Sequence, residues 1–117
     1  MKNSLKKTKE FKEVYDNKQS HADENIVMYI KKNETESNRL GISVSKKVGN
    51  SVVRHLLCRR AREIFRLTNR YVTKGIDVVI VFRKGADEVS FEALKNSFLK
   101  LYKKHKVLNE ENIYILN

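Results

Sequence analysis

Four side chains that can contact phosphate groups recur at helical spacing in the middle of the chain: His55, Arg59, Arg62 and Arg66. On a helical wheel at about 100° per residue, with Ser51 at zero, they fall between roughly 20° and 80°. The apolar residues of the same stretch fall between about 140° and 240°; they are Val53, Leu56, Leu57, Ile64 and Leu67. Because guanidinium groups pair with phosphate oxygens and stack on bases, this row, the basic rail, indicates a polyanion-binding surface.

The alternative is that the rail is only the solvated face of an amphipathic helix. Such faces normally mix charge signs, because acid–base pairs one turn apart stabilise a helix and like charges destabilise it. The one acid of this helix, Glu63, lies off the rail. A membrane-surface helix would show lysines beside exposed bulky apolar groups. The pattern therefore favours nucleic acid, with an anionic membrane as the second choice.

The charge distribution supports the same choice. The net charge is +11, and residues 39–70 hold nine Lys and Arg against Glu63 alone. The remaining residues hold sixteen basic and thirteen acidic side chains. So concentrated a positive charge repels itself unless a polyanion faces it.

A weak anion site is predicted where the basic helix begins. Lys46 and Lys47 precede Gly49, and either Asn50 or Ser51 can cap the helix. Free N–H groups of a first helical turn attract anions, and the two lysines would strengthen that attraction. This is not a nucleotide-binding P-loop, because the Gly-Lys-Ser/Thr ending is missing.

A second candidate surface follows from strand alternation. Val27, Tyr29, Ser43 and Ser45 would share one sheet face, opposite Ile26, Met28 and Ile30, and two aromatic side chains of the first helix, Phe11 and Tyr15, could wall it. Aromatic rings beside small polar groups suit single-stranded nucleic acid, where stacking contributes roughly 1–3 kcal/mol per base. The alternative, that these aromatic rings belong to the core, stays open.

The elements that would position these residues follow the order α-β-β-α-β-α. We predict a helix over 6–18 with Thr8 as a possible cap, a hairpin of "NIVMYIKK" and "RLGISVS", and the basic helix to about Asn69. "KGIDVVIVFRK" predicts a central strand covered on both faces, and a last helix begins near Ser90. The tail "NEENIYILN" could add an edge strand or fray.

The fold class is therefore α/β, a two-layer sandwich of a small mixed sheet with helices, in one domain over 1–117. The strands before and after the basic helix are expected to be parallel neighbours, by default with a right-handed crossover.

Several classes of protein are disfavoured. No apolar run approaches 18 residues, and no secretory signal opens the chain. The lone Cys58 cannot form an internal disulfide and fits a reducing, cytoplasmic setting. The acids are scattered, so we expect neither catalytic residues nor a metal site in the protein itself.

The segment "RLGISVSKKVGNSVVRHLLCRRAREIFR" resembles the signature of the bacterial ribonuclease P protein subunit. The family pattern is a strand ending in Ser-Lys-Lys-Val-Gly-Asn-Ala-Val, then Arg-Asn, two residues, Lys-Arg, two residues and Arg-Glu. The matching positions are Arg39, Gly41, Ser43, Ser45, Lys46, Lys47, Val48, Gly49, Asn50, Arg54, Arg59, Arg62 and Glu63. The resemblance extends over nearly the whole chain.

Four positions depart from the family pattern. His55 stands where the family has asparagine, and Leu56 and Cys58 replace residues that are often basic. Arg60 occupies a usually apolar position on the core side of the wheel, so its guanidinium must reach out to solvent or find a partner.

The resemblance implies a protein, monomeric and one per RNA, that binds a large catalytic RNA and the 5′ leader of precursor tRNA. The RNA would hold the Mg²⁺ ions and hydrolyse the phosphodiester, and the crossover around the basic helix would be left-handed. From the rail and the resemblance together, the predicted RNA-contacting residues are Lys46, Lys47, Asn50, Arg54, His55, Arg59, Arg62 and Arg66. The implied leader cleft is formed by Phe11, Tyr15, Val27, Tyr29, Ser43 and Ser45.

Two other functions remain as alternatives. A stand-alone RNA- or DNA-binding module, such as a ribosomal protein, ranks second. A DNA-reading helix needs Asn or Gln on its exposed face, and residues 51–66 contain neither. A nuclease acting without RNA ranks third.

Overall fold

Three helices and a four-stranded sheet make up the computed structural model, which describes residues 3–109. The elements are α1 (Thr8–Asp16), β1 (Ser20–Ala22), β2 (Ile26–Lys32), β3 (Arg39–Ser43), α2 (Ser51–Thr68), β4 (Ile76–Phe82) and α3 (Phe91–Lys104), with short 3₁₀ turns at Asn69–Tyr71 and Ala86–Glu88. The predicted order is confirmed, with one addition. The sequence analysis missed β1 because its three residues are all exposed and carry no apolar pattern. The tail, for which the sequence predicts either an edge strand or a frayed end, lies outside the described residues from position 110 onward.

The strand order of the sheet is β1-β2-β4-β3. β2 runs antiparallel to β1 and β4, whereas β3 runs parallel to β4. The predicted hairpin of β2 with β3 is therefore wrong, because β4 lies between them. The predicted parallel pairing of β3 with β4 around α2 is confirmed. This βαβ connection is the one for which the resemblance implies a left-handed crossover.

The larger core lies between the sheet and the pair α2 and α3. Met28 and Ile80 of the sheet pack there with Leu57 and Phe98 of the helices, all fully buried. On the opposite sheet face, α1 forms a smaller cluster through Val14 and Val79. β4 is buried on both faces for most of its length, as its nearly continuous apolar run predicted.

The helix starts are fixed by side chains that accept backbone N–H groups. The Asn50 side chain accepts from Val53 at 3.0 Å, so Asn50 is the cap of α2 among the two predicted candidates. Ser90 accepts from Ala93 at 3.1 Å and caps α3, which begins where the sequence predicted. The prediction of Thr8 as a cap is wrong. Helix α1 begins after Lys7, whose N–H donates to the Glu10 carboxylate at 3.0 Å.

The free edge of β3 is covered by the N-terminal segment. Leu5 N–H donates to the Leu40 carbonyl at 2.9 Å, and Leu40 N–H donates to the Asn3 carbonyl at 2.7 Å. These bonds satisfy backbone groups that an edge strand would expose. They also place residues 3–6 beside α2.

Candidate nucleic-acid interface

The four rail residues, His55, Arg59, Arg62 and Arg66, are all exposed on α2. The helix buries its other side through Leu57, Ala61, Ile64, Phe65 and Thr68. The separation of a basic flank from an apolar flank is therefore present in the folded chain. A polyanion approaching α2 from solvent would contact the rail without displacing any core side chain.

Intramolecular ion pairing divides the rail. Arg66 donates to both Glu63 carboxylate oxygens, at 3.0 Å from Nε and 2.5 Å from Nη2. These hydrogen bonds lower the pKa of Glu63 and so keep it ionised. Within residues 3–109, neither Arg59 nor Arg62 has a carboxylate in salt-bridge range. The centre of the rail therefore keeps its full charge, while its C-terminal end is partly neutralised.

Arg39 belongs to the basic segment by sequence but is neutralised inside the fold. It donates to Asp77 from Nε at 2.8 Å and from Nη2 at 2.7 Å, and to Glu10 from Nη1 at 3.1 Å. The hydrogen bonds that Arg39 donates to Asp77 are the main reason why the pKa of Arg39 is raised. Asp77 is 3% exposed. Arg39 therefore ties β3 to β4 and α1, a structural role that the sequence analysis missed.

The remaining basic residues of the segment differ in their surroundings. Lys46 and Lys47 are exposed in the turn before Asn50, which is itself exposed. Arg54 is half-buried, and its Nε makes no hydrogen bond within residues 3–109. Arg60 donates from Nη1 to the Val89 carbonyl at 3.2 Å, so of the two predicted alternatives, reaching solvent or finding a partner, the structure shows a partner.

The predicted cleft residues meet on the sheet face that α1 partly covers. Tyr29 of β2 aligns across β4 with Gly41 of β3, and Val27 aligns in the same way with Ser43. The α1 helix covers the first of these two rows. Ser45 follows β3 and is exposed. The second row and Ser45 therefore form the open part of the cleft.

Three aromatic rings form the wall of this cleft. The Tyr15 and Tyr29 ring centroids are 4.8 Å apart in an edge-to-face arrangement, and those of Phe11 and Tyr15 are 6.4 Å apart. All three side chains are half-buried. Burial raises the pKa of Tyr15, although a hydrogen bond with Ser43 opposes this. The rings thus pack on the core and still present edges to solvent, so both interpretations of the sequence describe part of their environment.

Gly41 allows α1 to approach the sheet at this point. A Cβ added to Gly41 would lie 2.9 Å from two atoms of the Phe11 ring. Such a contact is shorter than van der Waals separation, so any other residue would displace Phe11. The glycine therefore sets the position of the aromatic wall.

One lining residue near the rail could not be found from the sequence. Asn3 borders a shallow groove of about 620 Å³ with Arg59, Arg62 and Arg66. It is brought there by the pairing of the N-terminal segment with Leu40. The sequence carried no local signal for this long-range contact.

Two further observations limit the chemistry of the site. Among residues 3–109, no three His, Cys, Asp or Glu side chains converge as metal ligands would. None of the described helices is long and apolar enough to cross a membrane.

Comparison with known proteins supplies the family. The family model described as Ribonuclease P matches residues 1–106. The ribonuclease P protein component of Lachnoclostridium phytofermentans is 46% identical over 109 residues, covering 93% of this chain and 94% of the relative. That of Caldanaerobacter subterraneus subsp. tengcongensis is 48% identical over 107 residues, covering 92% of each chain.

Solved structures agree with the sequence relatives. The Staphylococcus aureus RNase P protein matches with a TM-score of 0.83 at 33% identity, covering 92% of this chain and 98% of that one. The Thermotoga maritima RNase P protein matches with a TM-score of 0.79 at 32% identity, covering 86% and 96%. With the family match and these relatives together, the chain belongs to the ribonuclease P protein family, the protein component of an RNA-containing enzyme of tRNA processing.

Proposed function

We propose that this protein binds the catalytic RNA of ribonuclease P and the 5′ leader of precursor tRNA, and so assists endonucleolytic removal of the leader. The observation that carries the proposal is the exposed pair Arg59 and Arg62 at the centre of the rail, neither of which has a carboxylate in salt-bridge range among residues 3–109. Residues at this spacing are neighbours on a helix surface. Two adjacent guanidinium groups can therefore contact neighbouring phosphate groups of one RNA strand or bracket a single one.

The cleft is the proposed site of the leader. The half-buried rings of Phe11, Tyr15 and Tyr29 would contact unpaired bases, and Ser43 and Ser45 offer hydroxyl groups to the backbone. Stacking tolerates any base, because every base has a π-face. This chemistry suits a single strand whose sequence differs from one tRNA precursor to another.

Hydrolysis itself is assigned to the RNA. Metal-assisted cleavage of a phosphodiester needs clustered oxygen ligands, and the described residues do not provide a convergent donor set. We propose that Mg²⁺ bound by the RNA activates water there. The arginines and lysines of the protein would neutralise phosphate repulsion, which lowers the Mg²⁺ concentration at which RNA and substrate associate.

We further propose one protein per RNA and a cytoplasmic location. The single cysteine, Cys58, has no partner within the chain for a structural disulfide, which fits a reducing compartment.

Reconstitution tests the whole proposal. Purified protein added to a bacterial ribonuclease P RNA at low Mg²⁺ should increase the rate of leader removal. If the rate stays unchanged across a salt series, the assignment fails. Equal affinity for precursors with and without a leader, in the presence of the RNA, would instead favour a stand-alone RNA-binding module.

A double substitution tests the rail. Arg59→Ala with Arg62→Ala should weaken RNA binding and reduce the slope of log affinity against log salt by nearly one unit per lost phosphate contact. The matched control is Lys9→Gln with Lys84→Gln, which removes the same charge from two exposed positions elsewhere. Equal slopes for the two double variants would contradict direct phosphate contact by the rail.

A further inference from the structure

A groove of about 990 Å³ lies where β2 ends and β4 begins, and the proposed function does not use it. It is bounded by the residues that follow α1, by the turn between β2 and β3, by the start of β4 and by the end of α3. It shares no lining residue with the grooves along the rail. Along β2 it lies at the opposite end from Val27, and a strand of this length spans about 20 Å.

Positive charge strongly predominates in this groove. Lys31, Lys32, Lys74 and Lys106 line it, against the single carboxylate of Glu34. Within residues 3–109 none of the four lysines has a carboxylate in salt-bridge range. His105 also lines the groove, but burial lowers its pKa, so its ring is neutral at pH 7 and the charge comes from the lysines.

The groove walls are fixed before any ligand arrives. In the turn between β2 and β3, the Asn33 side chain donates to the Ser37 carbonyl at 2.9 Å and to Asp77 at 2.8 Å. The turn packs directly on Gly75, whose φ of +85° and contact with the Thr35 carbonyl leave no room for a Cβ. A rigid wall lowers the entropy cost of binding.

Lys106 occupies a backbone position where a lysine is unfavourable. It follows the end of α3 with φ of 59°, and its N–H donates to the Lys103 carbonyl at 3.0 Å while the next N–H, of Val107, donates to Tyr102 at 3.2 Å. Glycine is the usual residue at this place in a helix terminus because it has no Cβ to strain. The lysine therefore costs stability, while its side chain adds a positive charge to the groove.

We propose that this groove, the lysine groove, is a third RNA site, beside the rail and the cleft, that holds the phosphodiester backbone without reading bases. In taking RNA as the polyanion, the inference rests on the proposed function. Lysine ammonium groups act as mobile point charges that follow a backbone. The hydroxyl of Thr73, which also lines the groove, can donate to a phosphate oxygen, whereas that of Thr35 already donates to Asn33 at 2.7 Å and so helps to fix the turn. Because it lies at the opposite end of β2 from the open part of the cleft, this contact extends the footprint of the protein on RNA.

The test measures affinity for a ribonuclease P RNA against salt concentration. Lys74→Gln with Lys106→Gly should reduce the slope by one to two units relative to wild type, since each lost phosphate contact lowers it by nearly one. Discrimination between precursors with and without a leader should not change. The melting temperature should stay equal or rise, because glycine adopts positive φ without strain, so weaker binding would not reflect unfolding.

Three outcomes separate the two proposals. If the lysine-groove variant matches the Lys9→Gln, Lys84→Gln control while the Arg59, Arg62 variant loses slope, the lysine-groove site is overturned and the proposed function stands. If the lysine-groove variant loses slope and the arginine variant does not, the lysine-groove site stands and the rail is refuted. If RNA binding is unchanged but binding to phosphatidylserine vesicles is lost, the groove is a membrane contact and the inference is wrong.

Discussion

Arg39 shows that a basic residue inside a cationic segment can serve the fold instead of a ligand. Its two hydrogen bonds to Asp77 compensate a carboxylate that is 3% exposed. Removing one partner of a buried ion pair costs more than the pair itself contributes. Without Arg39, the side-chain partner left to Asp77 among residues 3–109 would be Asn33, which donates to it at 2.8 Å. The same argument does not apply to Arg66, whose pairing with Glu63 lies in solvent.

Replacing these two arginines gives a matched comparison. Arg39→Ala should lower the free energy of unfolding by about 2 kcal/mol, below the roughly 3–5 kcal/mol of a fully enclosed pair because the guanidinium is partly exposed. Arg66→Ala should leave stability close to that of wild type. Urea denaturation measures both, and equal losses would show that Asp77 is stabilised by something other than Arg39.

At residue scale the sequence predicts exposure better than pairing. The positions of Arg59 and Arg62 follow from helical period alone, because every residue involved belongs to one element. The partner of Arg39 is 38 positions away, so no local pattern identifies it. The sequence does contain one signal for Asp77, which is the only acid within the apolar strand "IDVVIVF". A charge in such a strand indicates a buried counter-charge without saying which.

At the start of helix α2, one residue both caps the helix and belongs to the proposed RNA-binding surface. The Asn50 side chain accepts the Val53 N–H at 3.0 Å, and Asn50 is also one of the proposed RNA contacts. Aspartate caps a helix as well as asparagine does, and its charge is favourable at a helix N-terminus. The same charge would repel phosphate. Replacing Asn50 by aspartate should therefore weaken RNA binding without lowering stability.

Asn50→Asp should keep the free energy of unfolding within about 0.5 kcal/mol of wild type and weaken RNA binding. Asn50→Ala should instead lower stability by about 1 kcal/mol, because the cap is lost without new charge. Thermal denaturation and RNA titration of both variants separate the two effects. Undiminished RNA affinity in Asn50→Asp would place the phosphate backbone away from the start of α2.

At element scale the sequence predicted which segments are strands better than how they pair. The uninterrupted apolar run of β4 requires cover on both faces, and that alone gives it a central place. The alternating patterns of β2 and β3 determine only which face is buried. They are compatible with either strand order, so proximity in sequence suggested a hairpin that the fold does not contain. In the sheet, β4 lies between β2 and β3, and helix α2 connects β3 to β4.

Across the whole molecule, the sheet separates the rail from the leader cleft. Tyr29 lies on the face that α1 partly covers, whereas α2 packs on the opposite face and carries the rail outward. The cleft residues Phe11, Tyr15 and Tyr29 do not line the grooves that contain Arg59 and Arg62. Sites without shared partners should make independent contributions to binding.

Combining substitutions on the two faces tests this independence. Tyr29→Leu should reduce the preference for precursors that carry a leader, because the stacking ring is lost, and Tyr29→Phe should retain that preference. Arg59→Ala with Arg62→Ala should weaken RNA binding with or without a leader. In the triple variant the free-energy changes should add within about 0.5 kcal/mol, as measured by titration of the assembled complex with both precursors. A larger deviation would mean that RNA contact at the rail alters the cleft, and that the sheet transmits binding from one face to the other.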